Sequence, residues 1–296
     1  MSVIINIGSV EESVWGTAAE RWRYPILHIQ ERKRDGRMIR LVASDIDGTL
    51  LKNGARTLPE EVFSAIRSLK ERGILFCAAS GRQYSSLRRL FAPVADDIYY
   101  ICENGAAVYG SGKDALLLGK TVMERRFAEQ LSEEILARPD SEVLISGANT
   151  SYLIPKEQEI VVQIRDFTGN NICLLSSVKK VPEDIIKVSA FCSPDTKTVE
   201  RELSPRWEGR FHGAVAGARW LDFTLSDKGT GIRTICNALK IALEDVMAFG
   251  DNFNDIPMLE AVGNPVLMSQ ADDRLRRRFL VQCEDVPKYL YENVLQ

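Results

Sequence analysis

The residues of this chain best suited to chemistry are two aspartates, Asp45 and Asp47, that follow an apolar run. The segment LVASDIDGTLL places them one residue apart and continues with Gly48 and Thr49. Apolar residues before a glycine predict a buried strand that ends in a loop. In an open α/β sheet, ligands bind at the carboxyl ends of the strands. Two carboxylates at such a place predict a bound cation, a catalytic role, or both.

Three later segments add polar residues at comparable places. FCAASGR ends a second apolar run with the hydroxyl of Ser80, and LSDKG carries Lys228 just before a helical pattern. VMAFGDNFND ends a third apolar run with Asp251 and Asp255. Each pattern alone also fits a structural explanation: a helix cap for the serine, a surface lysine, and loop carboxylates.

Taken in order, Asp-x-Asp-Gly-Thr, a strand-end serine, a lone lysine and Gly-Asp-Asn-x-Asn-Asp resemble the motifs of the haloacid dehalogenase (HAD) superfamily. Within it, the chain resembles the Cof-type phosphatases with a C2-type cap. The resemblance runs from about Met38 to the C-terminus. It implies an α/β fold, with a doubly wound parallel-sheet core and an inserted α+β cap domain.

The resemblance also implies catalytic and metal-binding roles. Asp45 is expected to be the nucleophile that forms an aspartyl-phosphate, and Asp47 to protonate the leaving group and then activate water. The implied cofactor is Mg²⁺. Its expected ligands are the Asp45 side chain, the Asp47 main-chain carbonyl and Asp251, while Asp255 orients the metal shell.

A second set of residues is expected to bind the phosphoryl group. Ser80 and Lys228 would contact its oxygens by hydrogen bond and by charge. Gly81 follows Ser80, and Gly48 and Thr49 form a turn whose backbone N–H groups can approach phosphate.

Four further residues are candidates for substrate or neighbouring contacts, namely Arg82, Asn104, Asn252 and Asn254. For Arg82, a phosphate contact and a simple ion pair remain alternatives.

The order of predicted elements indicates two domains and a separate N-terminal stretch. Strand and helix patterns alternate up to about residue 108 and again from 224, so residues 38–108 and 224–296 are expected to form the core. Short strands and two helices between them predict a cap over residues 109–223. Residues 1–37 are expected to be an N-terminal extension.

Composition limits the function classes. The chain has 296 residues, a net charge of −3 and 45% hydrophobic residues, which is ordinary for a globular enzyme and argues against nucleic-acid binding. It has no uninterrupted apolar run long enough to predict a membrane span. The six cysteines are widely spaced and suit a reducing cytoplasm.

The predicted function is therefore a cytoplasmic, Mg²⁺-dependent phosphatase for a small phosphorylated metabolite. A sugar phosphomutase is the first alternative, and a metabolite-binding regulatory protein is the second. Sugar phosphates, flavin mononucleotide and pyridoxal phosphate all remain open as substrates. Arg165, Asp166 and Lys187 are candidate cap contacts that no pattern orients, and no pattern predicts an oligomeric state.

Met38 is expected to be the native start, because the family fold would begin there and ERKRDGR before it would have purine-rich codons, as a ribosome-binding site has. The intact mass of the natively expressed protein tests this. A mass that begins at Met38 is expected, and a mass that includes residues 1–37 would contradict it.

Overall fold

The structure is a computed structural model that describes residues 38–52, 54–193, 195–216 and 219–296, without the side chains of residues 166–168. The predicted N-terminal extension, residues 1–37, lies outside the described residues.

The described strands are Leu41–Ser44 (β1), Leu75–Ala79 (β2), Tyr99–Cys102 (β3), Ala107–Tyr109 (β4), Leu117–Lys120 (β5), Ser141–Ser146 (β6), Ser151–Leu153 (β7), Ile172–Leu174 (β8), Lys187–Cys192 (β9), His212–Ala216 (β10), Trp220–Thr224 (β11), Val246–Gly250 (β12), Asn264–Met268 (β13) and Gln282–Cys283 (β14). The described α-helices are Glu60–Glu71 (α1), Tyr84–Leu90 (α2), Arg125–Leu136 (α3), Gln158–Thr168 (α4), Thr196–Trp207 (α5), Lys228–Leu239 (α6), Ile256–Ala261 (α7), Asp273–Arg276 (α8) and Val286–Asn293 (α9).

The larger sheet has the order β14-β13-β12-β1-β2-β3-β4-β5 among the described strands. The strands from β14 to β3 are parallel, and β4 and β5 continue the sheet antiparallel. From β1 the chain winds outward through β2 and β3, and from β12 it winds the other way. The two directions meet between β1 and β12, so that a switch point lies between these neighbours. The predicted doubly wound α/β core is confirmed.

Each face of this sheet is covered by helices. Val42 packs toward the face covered by α1, α2 and α9, whereas Leu41 and Ala43 pack toward the face covered by α6, α7 and α8. β12 is buried along its whole length, since Met247 and Phe249 face one layer and Val246 and Ala248 face the other. Such strands have continuous apolar runs, which is why the sequence predicted them well.

The smaller sheet has the order β10-β11-β9-β6-β7-β8 and is antiparallel apart from the β7–β8 pair. Helices α3 and α5 bury one of its faces through Leu131 and Leu203. Helix α4 packs on the other face, where Val161 and Ile164 join a cluster with Trp220. The predicted inserted α+β cap is therefore present.

The predicted division at residues 108 and 109 stays a prediction, but the strand pairing favours a later boundary. Residues 110–116 join β4 to β5 as a hairpin, and β5 pairs with β4 in the core sheet. We therefore propose that the first linker follows Lys120.

A close backbone approach fixes helix α6 against the end of β3. Gly105 has φ +94°, and a Cβ there would overlap the main-chain carbonyl of Asp227. A Cβ on Gly231 would overlap Ile101 and lie 3.1 Å from the Cα of Gly105. Glycine at both positions lets the first turn of α6 reach the sheet.

Among the described residues, every helix is too short or too polar to cross a lipid bilayer.

Replacement of Gly231 by alanine is expected to lower the free energy of unfolding by about 1–3 kcal/mol, because overpacking outweighs the helix propensity of alanine. Urea unfolding measures this change. Gly110→Ala is the control, since a Cβ there meets its nearest atom at 3.6 Å. Equal stability of the two variants would contradict the close approach.

Candidate active site

Asp45 follows β1 directly and lies at the switch point of the core sheet. Its backbone N–H donates to the carbonyl of Phe249 at 2.9 Å, so the strand pairing continues to this residue. Asp251 follows β12, the neighbouring parallel strand. The carboxyl ends of adjacent parallel strands meet at one edge, and two acids separated widely in the chain therefore come together. Asp45 is 5% exposed.

The turn after Asp45 is shaped to admit Asp251. Gly48 has φ +96°, and any side chain there would overlap the Asp251 carboxylate. Thr49 is buried, and its hydroxyl donates to Oδ1 of Asp251 at 3.4 Å. The side-chain amide of Gln270 donates to the carbonyl of Gly48 at 2.7 Å and holds the turn from outside. The sequence reasoning missed Gln270, because it lies in a loop that carries no motif.

Lys228 brings a positive charge into the acidic cluster. It is the first residue of α6, and its side chain is fully buried. Its ammonium donates to Oδ1 of Asp45 at 2.5 Å and to Oδ1 of Asp255 at 2.6 Å. Burial lowers the pKa of Lys228, but Asp255 and Asp45 more than reverse this, so its pKa is raised above the ordinary value. Lys228 is therefore an ion of the site and not a surface lysine.

Asp255 holds the loop that follows β12. Besides its contact with Lys228, its Oδ2 accepts from the backbone N–H groups of Asp251 and Asn252, each at 3.0 Å. Asn252 caps the same turn with its own side chain and is exposed, as is Asn254. Both oxygens of Asp255 are thus engaged by protein groups, and the expectation that Asp255 orients the metal shell stays a prediction.

The acidic cluster has fewer positive charges than negative ones. Burial raises the pKa of Asp45 to about 8, with Asp255 adding to the effect and Lys228 opposing it. Burial, followed by repulsion from Asp255, raises the pKa of Asp251 to about 6. In the absence of a metal, protonation relieves this repulsion.

Ser80, Gly81 and Asn104 form the next part of the same edge. Ser80 directly follows β2 and is 2% exposed. Its Oγ accepts from the backbone N–H of Arg82 at 3.2 Å, and its hydroxyl proton remains able to donate. The backbone N–H of Asn104 donates to the Ser80 carbonyl at 3.0 Å. Oδ1 of Asn104 is buried without a hydrogen-bond partner.

Arg82 forms an ion pair with the second aspartate of the first motif. Its Nε donates to Oδ2 of Asp47 at 2.9 Å and its Nη2 donates to Oδ1 at 2.6 Å. Of the two alternatives left open for Arg82, the structure shows the ion pair. The Asp47 side chain is 55% exposed, unlike that of Asp45.

The structure contains a second cluster of buried charged residues. The sequence reasoning did not predict that these residues would lie together. Lys187 of the cap pairs with Glu103 of the core and lies 3.3 Å from Asp222 of the cap. Lys187 was only a candidate substrate contact, and the two acids carry no motif. Of the other two cap candidates, Arg165 lies in α4 and the side chain of Asp166 is outside the described residues.

The donor set fits a hard divalent cation such as Mg²⁺. Carboxylate oxygens of Asp45, Asp251 and Asp255 lie within 4.8 Å of one another. Oδ2 of Asp45 is buried and has no hydrogen-bond partner. An unpartnered buried carboxylate oxygen is costly, and oxygen ligands are those that Mg²⁺ prefers. A divalent cation would satisfy this oxygen and offset the excess negative charge.

Comparison with known proteins identifies the family. The profile of the haloacid dehalogenase-like hydrolases matches residues 42–285. The chain belongs to the haloacid dehalogenase-like hydrolase family. The match spans both halves of the core and the inserted cap.

Relatives in this family agree in enzyme class. The chain is 27% identical over 243 residues to the 5-amino-6-(5-phospho-D-ribitylamino)uracil phosphatase YbjI of Escherichia coli, covering 79% of this chain and 86% of the relative. It is 26% identical over 278 residues to the pyridoxal phosphate phosphatase YbhA of Escherichia coli, covering 86% and 99%. A solved structure from Eubacterium rectale matches with a TM-score of 0.74 and 28% identity, covering 87% and 97%. The predicted fold, family and phosphatase class are confirmed.

The metal-free protein is expected to lose stability as the pH rises from 5 to 8. The pKa values of Asp251 and Asp45 are raised in the folded state, to about 6 and about 8, above their ordinary 3.8. The folded state therefore binds these protons more tightly than the unfolded state, and the stabilisation is lost as the pH rises through the folded values. Mg²⁺ should restore stability more at pH 8 than at pH 5, because it binds ionised carboxylates. Thermal unfolding in EDTA and in Mg²⁺ measures both effects.

Asp251→Asn should weaken both the pH effect and the Mg²⁺ effect, since it removes one of the repelling carboxylates. Asp114→Asn, at an exposed residue of the β4–β5 hairpin, should behave as the wild type. A Mg²⁺ response at pH 8 that is the same in Asp251→Asn and wild type would contradict the metal site.

Proposed function

We propose that the protein is a Mg²⁺-dependent phosphatase that hydrolyses a small phosphorylated metabolite through an aspartyl-phosphate on Asp45. One observation carries the proposal: Asp45 is buried at the switch point, its Oδ1 contacts Lys228, and its Oδ2 has no partner. A carboxylate held in this way is screened from water and available to an electrophile. The named activities of the relatives support the phosphatase class.

In the first step, a carboxylate oxygen of Asp45 attacks phosphorus and the ester P–O bond breaks. Asp47 gives its proton to the leaving oxygen. In the second step, Asp47 takes a proton from water, whose oxygen attacks phosphorus and breaks the bond to Asp45. Phosphate leaves and the carboxylate of Asp45 is restored.

The remaining residues would bind the phosphoryl group and the cation, and would offset negative charge. Lys228 and the hydroxyl of Ser80 would contact the phosphoryl oxygens, as would backbone N–H groups of the Gly48–Thr49 turn. Asp45, the carbonyl of Asp47 and Asp251 would hold Mg²⁺, with Asp255 fixing the loop behind them. The bound cation supplies electrostatic stabilisation of the charge that develops on the phosphoryl oxygens.

The substrate is proposed to be a phosphate monoester of a small metabolite. The two Escherichia coli relatives are named for a phosphorylated ribitylaminouracil and for pyridoxal phosphate. Both compounds join a phosphate ester to a nitrogen-containing ring. They belong in the first substrate panel, with sugar phosphates and flavin mononucleotide.

We also propose a cytoplasmic location. All six cysteines lie in the described residues and are free, and five of them are buried. Free thiols persist in reducing compartments.

Asp45→Asn is expected to abolish phosphate release, and Asp47→Asn to lower kcat by about 100-fold or more, because general acid–base catalysis contributes at least that factor. Release of inorganic phosphate from the substrate panel, with Mg²⁺ and with EDTA, measures both. EDTA should abolish release from the wild type. Asp114→Asn is the matched carboxylate-to-amide control and should retain full activity.

Metal-dependent release that persists in Asp45→Asn would overturn the nucleophile assignment. Radiolabelled phosphate that stays in the sugar pool and is not released would instead favour the phosphomutase. Binding of a panel compound with no turnover at all would favour the regulatory protein.

A further inference from the structure

Lys187 crosses from the cap to the core and ends in a buried position. It is the first residue of β9 and is 6% exposed. Its ammonium pairs with the carboxylate of Glu103 and donates to the carbonyl of Gly81 at 3.3 Å. Both partners belong to the core. Gly81 follows Ser80, so this cap residue directly contacts the segment that we assign to phosphate binding.

Glu103 belongs to a turn with an unusual backbone. Glu103 and Asn104 have φ values of 50° and 54°, a left-handed conformation that non-glycine residues rarely adopt. Such residues persist when their surroundings hold them in place. The backbone N–H of Glu103 donates to the carbonyl of Arg82 at 3.1 Å, and that of Asn104 donates to the carbonyl of Ser80 at 3.0 Å. The turn and the Ser80–Arg82 segment therefore hold each other.

The face of the cap sheet that contacts the core also carries the other residues that surround Lys187. Asp222 is paired with Ser189 in the sheet register, and its Oδ1 accepts from the Ser189 hydroxyl at 2.7 Å. Side chains alternate along β9, so Lys187 and Ser189 point to one face, while Val188 packs among the cap helices on the other. The charged face is the one that contacts Gly81.

Burial of these charged side chains costs solvation free energy, and a gain in stability does not explain why they are buried. Glu103 is 1% exposed and Asp222 is 4% exposed. Burial lowers the pKa of Lys187, but Asp222 and Glu103 more than reverse this and keep it charged. A buried ion pair is often no more stabilising than apolar residues of similar volume, and removal of one partner is strongly destabilising. Such a group is best suited to fixing a specific arrangement.

The cap contacts the same segment on its other side. Gln83 is fully buried, and its side-chain amide donates to the hydroxyl of Ser151 at 3.1 Å. Its Oε1 accepts from the backbone N–H of Asn171 at 2.7 Å. Residues 81–83 are therefore bound to the cap at Gly81 by Lys187 and at Gln83 by the β7–β8 pair.

We propose that Lys187 is a positioning residue that ties the cap sheet to the Ser80–Gly81–Arg82 segment, so that this segment keeps its geometry only while the cap is docked. The inference rests on the proposed function, in which Ser80 contacts the phosphoryl group. Because Arg82 also pairs with Asp47, the same connection extends from the cap to the general acid. Cap docking and readiness of the phosphate site are thereby one event.

Lys187→Met tests the proposal, because it keeps an unbranched side chain that is one atom shorter and removes the charged ammonium. Three backbone N–H groups report on the segment, those of Arg82, Glu103 and Asn104, and their hydrogen exchange is measured without substrate. Exchange at these three amides should rise by about tenfold or more when the connection is lost. For a substrate that the wild type hydrolyses, kcat should fall by about tenfold or more with a smaller change in KM, since positioning is lost.

Lys120→Met is the matched control. Lys120 pairs with Asp184 at 2.6 Å between the end of β5 and the cap, but the pair is largely exposed. Exposed pairs contribute little, so this variant should match the wild type in exchange and in kcat to within roughly twofold.

A purely structural role would give a different pattern. It would lower the melting temperature and raise exchange throughout β6, β9 and β11, with no excess at the three amides. That pattern, or wild-type exchange together with unchanged kcat in Lys187→Met, would overturn the proposal. If Lys187→Met does not fold, the Lys187→Met/Glu103→Gln double variant carries the same test, because it removes one charge of each sign.

The experiments distinguish a failure of the proposed function from a failure of the inference about Lys187. If the wild type releases phosphate from no compound, the proposed function fails, and exchange at the three amides still decides the role of Lys187. If the wild type is active and Lys187→Met matches it in both measurements, only the inference about Lys187 fails.

Discussion

The candidate active site depends on one buried ammonium group. Lys228 contacts Asp45 and Asp255, and without it the strand ends would bring several carboxylates together with no internal positive charge. Like charges at this distance in a poorly solvated place cannot all ionise. The lysine opposes the rise that burial causes in the pKa of Asp45, and it leaves the second carboxylate oxygen of Asp45 open. A cation bound beside it would complete the compensation that the lysine begins.

Much of the core serves to place that lysine. It stands at the first residue of α6, after the cap has been completed, and so returns to a sheet whose first strand lies far earlier in the chain. The close approach of Gly105 and Gly231 brings the start of α6 against the end of β3. The parallel pairing of β1 with β12 places the two acidic strand ends side by side. The cap is inserted in the chain between β1 and β12, yet the core sheet remains continuous.

The sequence predicted the elements whose signal is local. Strands buried on both faces have unbroken apolar runs, and β1, β2 and β12 were found at the predicted places. Asp45, Ser80 and Asp251 follow those strands and Lys228 begins α6, and the fold brings these residues to one edge of the sheet. Short or edge elements were missed, among them β4, β5 and α4. The apolar residues of α4 pack on only one side against the cap sheet, and β4 and β5 have three and four residues.

Ion pairs between residues far apart in the chain could not be predicted from the sequence, for a different reason. The pairing of Lys187 with Glu103 joins residues of two domains, and neither residue carries a sequence pattern that indicates the other. Arg82 could have been a phosphate ligand or an ion-pair partner, because an arginine beside a strand end fits both. Only the fold decides such pairings, since they depend on which strand ends become neighbours.

The Arg82–Asp47 pair has a consequence for the order of events at the site. Both oxygens of Asp47 accept hydrogen bonds from one guanidinium, that of Arg82, so neither oxygen is free to carry the proton that the proposed general acid donates. If Asp47 protonates the leaving group, as proposed, at least one of these contacts must open first. An incoming phosphate dianion offers Arg82 a competing partner of higher charge. Substrate entry would in this way release Asp47 at the place where a proton is needed, and the ion pair seen here would re-form after phosphate departs.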